Sequence, residues 1–98
     1  MRYEIVLVPE AIEDLRRMTA RDAATVRDAL ERHLRSAPQK VSRSRIKRLK
    51  RISHPQYRLR VDDFRVYYDV IDATVFVLAV VPKASAARWL DEWGSEEQ

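Results

Sequence analysis

The chain has 98 residues, 46% hydrophobic and 35% charged, so we expect one globular domain spanning residues 1–98. The absence of cysteine excludes disulfide scaffolds, thiolate nucleophiles and zinc fingers, and a single glycine excludes a glycine-rich phosphate loop. With two histidines and no apolar run near the roughly 18 residues of a membrane span, the sequence predicts a cytoplasmic protein without a metal, a cofactor or a membrane contact.

The net charge of +4 conceals a strong segregation along the chain. Residues 32–61 carry 11 basic side chains and no acidic ones, whereas residues 1–31 and 62–98 are each net acidic. Such a stretch creates a positive field that attracts polyanions, nucleic acids among them. A solvated basic face and an anchor for an acidic partner protein are the alternatives.

The first third of the chain predicts a strand and a helical hairpin. The run from Tyr3 to Val8 is rich in β-branched residues and ends at Pro9, which suits the first turn of a helix. Thr19 to Asp22 has the pattern of a capping box that opens a second helix. Ala37 and Pro38 close that helix, because the residue before a proline avoids the helical region.

The basic middle segment is less regular. We expect a short basic strand near residues 45–50 and a loop over Ser53, His54 and Pro55. Thr74 to Val81 is almost continuously apolar, which indicates a central strand covered on both faces. A terminal helix follows, in which Ala86 and Trp93 mark the ends of an apolar stripe, and Gly94 is its expected C-cap.

The clearest pattern is a β-hairpin between these segments. Residues 57–61 and 64–70 alternate apolar with polar side chains, and two aspartates between them suit a tight turn. If Val61 pairs with Phe64, then Arg60 faces Arg65. Two arginines directly opposite each other repel, and a bound anion would remove that penalty.

The two faces of this hairpin have different characters. The core face is predicted to hold Tyr57, Leu59, Val61, Phe64, Val66 and Tyr68, and the other face Arg58, Arg60, Arg65 and Tyr67. Three guanidinium groups and a phenol on one wall suit a phosphate site, because the planar guanidinium binds phosphate oxygens bidentately. The alternative is a solvent-exposed face whose arginines pair with Asp62, Asp63 or Asp69.

These elements in this order, with KRLKR before YRLRVDDFRVYYDV, resemble the RelE/ParE toxin superfamily over about residues 3–93. The hairpin is the most specific part of the resemblance. The resemblance implies an α+β fold, RelE-like, with a mostly antiparallel twisted sheet of four to five strands in the order β-α-α-β-β-β-α. It also implies a toxin of a type II toxin–antitoxin system that is held inactive by a cognate antitoxin, a partner that we expect to be acidic and disordered alone.

The resemblance further implies site residues. In members that cleave RNA, two basic residues of the first hairpin strand match Arg58 and Arg60, an arginine of the next strand matches Arg65, and a basic residue after the last strand matches Lys83. Trp89 occupies the position of an aromatic residue that is usually tyrosine. Residues expected to contact RNA are Arg45, Lys47, Arg48, Lys50, Arg51, Tyr67 and Trp89.

Three functions follow as alternatives. RelE-type members cut mRNA within the ribosome, and we expect metal-independent attack of the RNA 2′-hydroxyl on the adjacent phosphate, with the ribosome and mRNA as partners. Because arginine does not readily lose its proton and Trp89 has no hydroxyl, the general base stays open among Lys83, Tyr67 and His54. ParE-type members poison DNA gyrase, and a non-catalytic module that binds nucleic acid or protein is the third alternative.

Overall fold

The computed structural model describes residues 1–96, and these form the predicted α+β fold. The helices are α1 (Pro9–Arg16), α2 (Ala20–Leu34) and α3 (Ala86–Trp93), the last preceded by a short 3-10 turn (Lys83–Ser85). The strands are β1 (Glu4–Leu7), β2 (Ile46–Arg48), β3 (Ile52–His54), β4 (Tyr57–Val61), β5 (Phe64–Ile71), β6 (Thr74–Pro82) and β7 (Ser95–Glu96). No helix in this part of the chain is long and apolar enough to cross a membrane.

The main sheet has five strands in the order β1-β6-β5-β4-β2. Its neighbours are antiparallel except β1 and β6, which run parallel. This confirms the predicted sheet, and the three residues of β2 confirm the short basic strand. The hairpin register is also as predicted, since Val61 pairs with Phe64 and Arg60 with Arg65.

A second, two-stranded sheet joins β3 to β7 and corrects one prediction. Ser53 and His54 belong to a strand rather than to a loop. The pairing of Ile52 with Glu96 and of His54 with Ser95 provides the hydrogen bonds, and both partners come from the far end of the chain. A local pattern of three residues cannot show such a pairing.

The main core lies between one face of the sheet and the helices α1 and α2. Its fully buried side chains include Val26, Leu34, Leu59, Val66, Val75 and Val77. The predicted cap at the start of α2 is present, because the Thr19 Oγ1 accepts a hydrogen bond of 3.1 Å from the Asp22 backbone nitrogen. The predicted core face of the hairpin is confirmed, with Phe64 only partly buried.

A smaller core covers part of the opposite face. Tyr67, Ala79, Val81 and Ala86 are buried there, and partly buried Leu49, Trp89 and Leu90 contact them. Leu78 is an extra residue in β6, placed opposite the step from Tyr67 to Tyr68. This bulge shifts the alternation of β6, so that Ala79 lies in the smaller core with Tyr67 while Val77 lies in the main core with Tyr68.

Gly94 is the C-cap of α3, as predicted, but its backbone is not in the left-handed region. Its φ of −74° and ψ of 141° are extended, and its nitrogen donates a 2.8 Å hydrogen bond to the Leu90 carbonyl. A Cβ at this position would lie 2.6 Å from the Leu90 oxygen. The close approach, rather than a positive φ, is what requires glycine here.

Candidate nucleic-acid site

The sheet face opposite α1 and α2 carries cationic side chains in two adjacent rows. In one row Lys47 of β2 is paired with Arg58 of β4, which is paired with Tyr67 of β5. In the next row Arg60 is paired with Arg65. Paired residues share a face, and adjacent rows are about 7 Å apart along a strand. We call the face that bears Lys47, Arg58, Arg60 and Arg65 the cation face.

The cations of the cation face are not paired with carboxylates in the part of the chain that the structure describes. Within residues 1–96, none of the four cations forms a salt bridge. The Nε of Arg58 is buried and has no hydrogen-bond partner in the same part of the chain. Like charges directly opposite in a sheet are destabilising, and a buried donor without an acceptor adds to that cost. An anion on this face would relieve both.

Arg65 contributes its charge from beneath the surface. The residue is 5% exposed, and its Nη1 donates hydrogen bonds of 2.9 Å to the carbonyls of Asp62 and Phe64. Burial lowers its pKa, and the nearby Arg60 and Arg58 lower it further. Of the three guanidinium groups predicted for this wall, that of Arg65 is therefore not exposed, because its side chain is hydrogen-bonded to the hairpin turn.

Tyr67 is likewise covered. It is 2% exposed, and the Trp89 indole of α3 lies parallel to its ring, with centroids 4.9 Å apart. Burial raises the pKa of Tyr67, although Arg58 and Arg65 act in the opposite direction. The phenol is thus shielded from direct stacking with an RNA base, whereas Trp89 is only partly buried.

The other predicted basic residues are distributed over three places. Arg45 lies beside the second row, since its carbonyl accepts a 2.9 Å hydrogen bond from the Arg60 nitrogen. Arg48 belongs to the opposite face, where its guanidinium lies 5.4 Å from the Tyr57 ring centroid. Lys50 and Arg51 line a hollow at the end of α3. Only Arg45 and Lys47 of this group are brought to the cation face or its rim.

Lys83 stands at the tip of the hairpin. Its backbone nitrogen donates a 2.7 Å hydrogen bond to the Asp63 carbonyl, directly after β6 ends. The adjacent pairs, Phe64 with Pro82 and Arg65 with Val81, place this residue beyond the Arg60 row and away from Arg58. Its side chain is exposed.

A histidine–carboxylate contact lies next to the cation face. The Nδ1 of His54 contacts the Oδ2 of Asp69, a residue that is 5% exposed. Asp69 follows Tyr67 by two positions in β5 and therefore shares its face. The alternation of β5 was enough to place Asp69 on this face, but no sequence signal connects it with His54, whose strand was not predicted.

The chain matches one known family of proteins. The family model of the ParE toxin of the type II toxin–antitoxin system parDE matches residues 5–86. No curated protein sequence matches the chain.

Solved structures share the fold. The RelBE2 toxin–antitoxin complex of Mycobacterium tuberculosis is 26% identical with a TM-score of 0.73, covering 86% of this chain and 94% of that chain. The free Escherichia coli toxin RelE, in a mutant form, is 22% identical with a TM-score of 0.60 and 94% coverage of both chains. The RelB–RelE complex of Methanococcus jannaschii is 18% identical with a TM-score of 0.58, covering 86% of this chain and 96% of that chain.

The match of the family model extends over most of the chain, from β1 to the start of α3. The fold agrees with that of the toxin chains in the solved complexes, and the hairpin register is the one that its alternation predicted. The chain belongs to the RelE/ParE superfamily of toxins from type II toxin–antitoxin systems.

Proposed function

We propose that this toxin is a ribosome-dependent endoribonuclease that cleaves mRNA and so inhibits translation. The observation that carries the proposal is that like charges stand in register on the cation face, Lys47 opposite Arg58 and Arg60 opposite Arg65. Neither pair is offset by a salt bridge within residues 1–96. Such an arrangement costs stability unless a polyanion occupies it.

The main requirement of the proposed reaction is stabilisation of the negative charge that develops on the phosphate in the transition state. The RNA 2′-hydroxyl attacks the adjacent phosphorus, and the 5′-oxygen of the next nucleotide leaves. Arg58 and Arg60 would donate hydrogen bonds to the phosphoryl oxygens, which gather charge in the transition state. The buried charge of Arg65 strengthens the field beneath them, and Trp89 offers an aromatic ring at the rim.

The ribosome has a defined part in this proposal. It would hold the message in a cleavable geometry, and orientation alone supplies a large share of the barrier in intramolecular reactions. Arg45 and Lys47 would contact phosphates beside the scissile one, with an affinity that falls as salt rises. Lys83 at the hairpin tip would meet the strand on the other side of the Arg60 row.

A cognate antitoxin is the partner of this toxin, as in the solved complexes of its relatives. We expect an acidic segment of that antitoxin to lie across the cation face, because carboxylates would supply the missing counter-charges. Binding there would inhibit the toxin by occupying the site of the RNA phosphates. An antitoxin that leaves Arg58 and Arg60 exposed would contradict this view.

DNA gyrase is the second candidate target, and two observations favour it. The family model that matches the chain is that of the ParE toxin. The burial of Arg65 and Tyr67 also leaves fewer exposed groups for catalysis than the sequence predicted. In this case the cation face would bind a protein or DNA without cleaving RNA.

End mapping in a translating extract tests the choice between these functions. Purified toxin should produce position-specific 5′ ends in the message, and the Arg58→Gln variant should lower their yield by about 10²-fold. Arg27→Gln is the matched control, since Arg27 is an exposed residue of α2 on the other side of the sheet. Intact messages together with inhibited supercoiling by purified gyrase would establish the ParE-type activity instead. Intact messages with unimpaired gyrase would indicate a non-catalytic binding module.

A further inference from the structure

We propose that His54 is the general base of the RNA cleavage reaction and that Asp69 is the residue that positions it. The inference rests on the proposed ribonuclease function and deepens it by assigning the proton acceptor. It starts from the contact of His54 Nδ1 with Asp69 Oδ2, which joins a half-exposed imidazole to a buried carboxylate.

The carboxylate of Asp69 is held firmly on both oxygens. Its Oδ1 accepts a 2.8 Å hydrogen bond from the Gln56 nitrogen, while its Oδ2 contacts the imidazole. The Gln56 side chain is fixed in turn, because its Oε1 accepts a 2.9 Å hydrogen bond from the Val70 nitrogen. Asp69 is therefore anchored within the main sheet, and the ring orientation of His54 follows from it.

This contact also selects the tautomer of the imidazole. A carboxylate beside Nδ1 favours the proton on that nitrogen, which leaves the lone pair on Nε2. The side chain of His54 is 53% exposed, so solvent and substrate have access to the ring. In this tautomer Nε2 presents its lone pair to the outside, which is the geometry that a general base requires.

The His54–Asp69 pair also lies next to Arg58 of the cation face. Arg58 lies directly opposite Tyr67, so Asp69 is its diagonal neighbour across the β4–β5 pair. Diagonal neighbours are about 7–8 Å apart, within the reach of long side chains. The proposal therefore places the ribose next to the phosphate on Arg58 beside His54, which contacts Asp69.

The proton and bond changes balance with one base and solvent. Nε2 of His54 takes the proton of the 2′-hydroxyl as the 2′-oxygen bonds to phosphorus, and the bond from phosphorus to the 5′-oxygen breaks. The products are a 2′,3′-cyclic phosphate and a 5′-hydroxyl end, whose oxygen takes a proton from water. The imidazolium then returns its proton to solvent. Arg58 and Arg60 remain protonated throughout.

A purely structural role would also explain the contact, since it ties β3 to the buried face of β5. The variant His54→Asn separates the two roles. An asparagine amide can donate to Asp69 from nearly the position of Nδ1, but it has no group that accepts a proton at the position of Nε2. A structural role therefore predicts an active variant, and a catalytic role predicts a folded but inactive one.

The test is single-turnover cleavage of one message on purified ribosomes. We expect His54→Asn to melt at the wild-type temperature and to keep the wild-type half-saturating toxin concentration, while its maximal rate falls by about 10²-fold or more. Asp69→Asn should lower the maximal rate in the same way, because the amide no longer selects the tautomer. Added imidazole should partly restore cleavage by His54→Ala, but not by Arg58→Gln.

The outcomes distinguish the role of His54 from the proposed ribonuclease function on which it rests. Wild-type rates for His54→Asn, or no restoration of His54→Ala by imidazole, would overturn the role of His54 while leaving the ribonuclease function in place. A wild-type toxin that makes no cuts on the ribosome would refute the ribonuclease function, and the assignment of its base with it.

Discussion

Trp89 lies flat on Tyr67, with an angle of 4° between the two rings and 4.9 Å between their centroids. The contact anchors α3 to the sheet at the row that contains Arg58. It also keeps water from the phenol, so that burial raises the pKa of Tyr67 despite two neighbouring arginines. The helix α3 thereby shapes the edge of the cation face.

Replacing Trp89 should reveal this coupling. Trp89→Ala exposes Tyr67, and we expect the pKa of that phenol to fall toward its ordinary value, because water and two guanidinium groups then favour the phenolate. The free energy of unfolding should fall by about 2 kcal/mol, and Trp89→Phe should recover part of it. Urea denaturation and an ultraviolet titration, with Tyr67→Phe subtracted to isolate the signal, measure the two effects. An unchanged titration would show that the stack does not shield Tyr67.

The facing arginines predict a variant that gains stability as it loses function. Arg60→Gln removes the repulsion with Arg65 and should raise the free energy of unfolding by about 0.2–1 kcal/mol at low salt. The gain should shrink at high salt, because the remaining charges are screened. Denaturation curves at two ionic strengths measure it, with Arg27→Gln as the control for removal of an exposed arginine. A loss of stability in Arg60→Gln at low salt would mean that the charge of Arg60 is compensated in the folded chain.

The open edge of β6 gives a prediction with a pH signature. The Oδ2 of Asp14 accepts a 2.9 Å hydrogen bond from the Val80 nitrogen, at a point that β1 does not reach. Burial raises the pKa of Asp14 above its usual 3.8, although this hydrogen bond lowers it. At pH values between 3.8 and the raised pKa, Asp14 binds more protons in the folded chain than in the unfolded chain. Its contribution to the free energy of unfolding therefore falls as pH rises through this range.

Two substitutions of Asp14 should therefore have opposite effects on the free energy of unfolding relative to wild type. Asp14→Asn keeps an acceptor for Val80 without a buried charge, and its stability relative to wild type should increase as pH rises through this window. Asp14→Ala leaves the Val80 nitrogen without an acceptor and should cost about 1–3 kcal/mol. Thermal melts from acid to neutral pH provide the comparison. A gap between Asp14→Asn and wild type that does not change with pH would contradict the assignment.

The hairpin was predictable because its alternation is strict. Placing Val61 against Phe64 determines both faces, and the structure has the pairing of Arg58 with Tyr67 that follows. The pairing of Lys47 with Arg58 was not foreseen, because three consecutive residues of β2 carry no reliable register of their own. That pairing adds a fourth cation to the site.

The remaining differences depend on contacts distant in sequence. The burial of Arg65 follows from the carbonyls of its own turn, whereas that of Tyr67 follows from a helix more than a dozen residues away. His54 acquires a defined orientation only because β7 pairs with its strand and Asp69 meets its ring. Composition and periodicity describe single segments, and these features arise between segments.

NMR spectra of the arginine Nε–H groups show directly which guanidinium groups an RNA strand touches. They therefore test whether RNA binds to the cation face. The isotope-labelled toxin is titrated with a short single-stranded RNA whose 2′-oxygens are methylated, so that no cleavage occurs. The signals of Arg58 and Arg60 should shift when the RNA binds to the cation face. The signal of the exposed Arg27 should not change. Shifts of Arg27 and other α2 arginines, with Arg58 and Arg60 unaffected, would contradict the cation face as the RNA site.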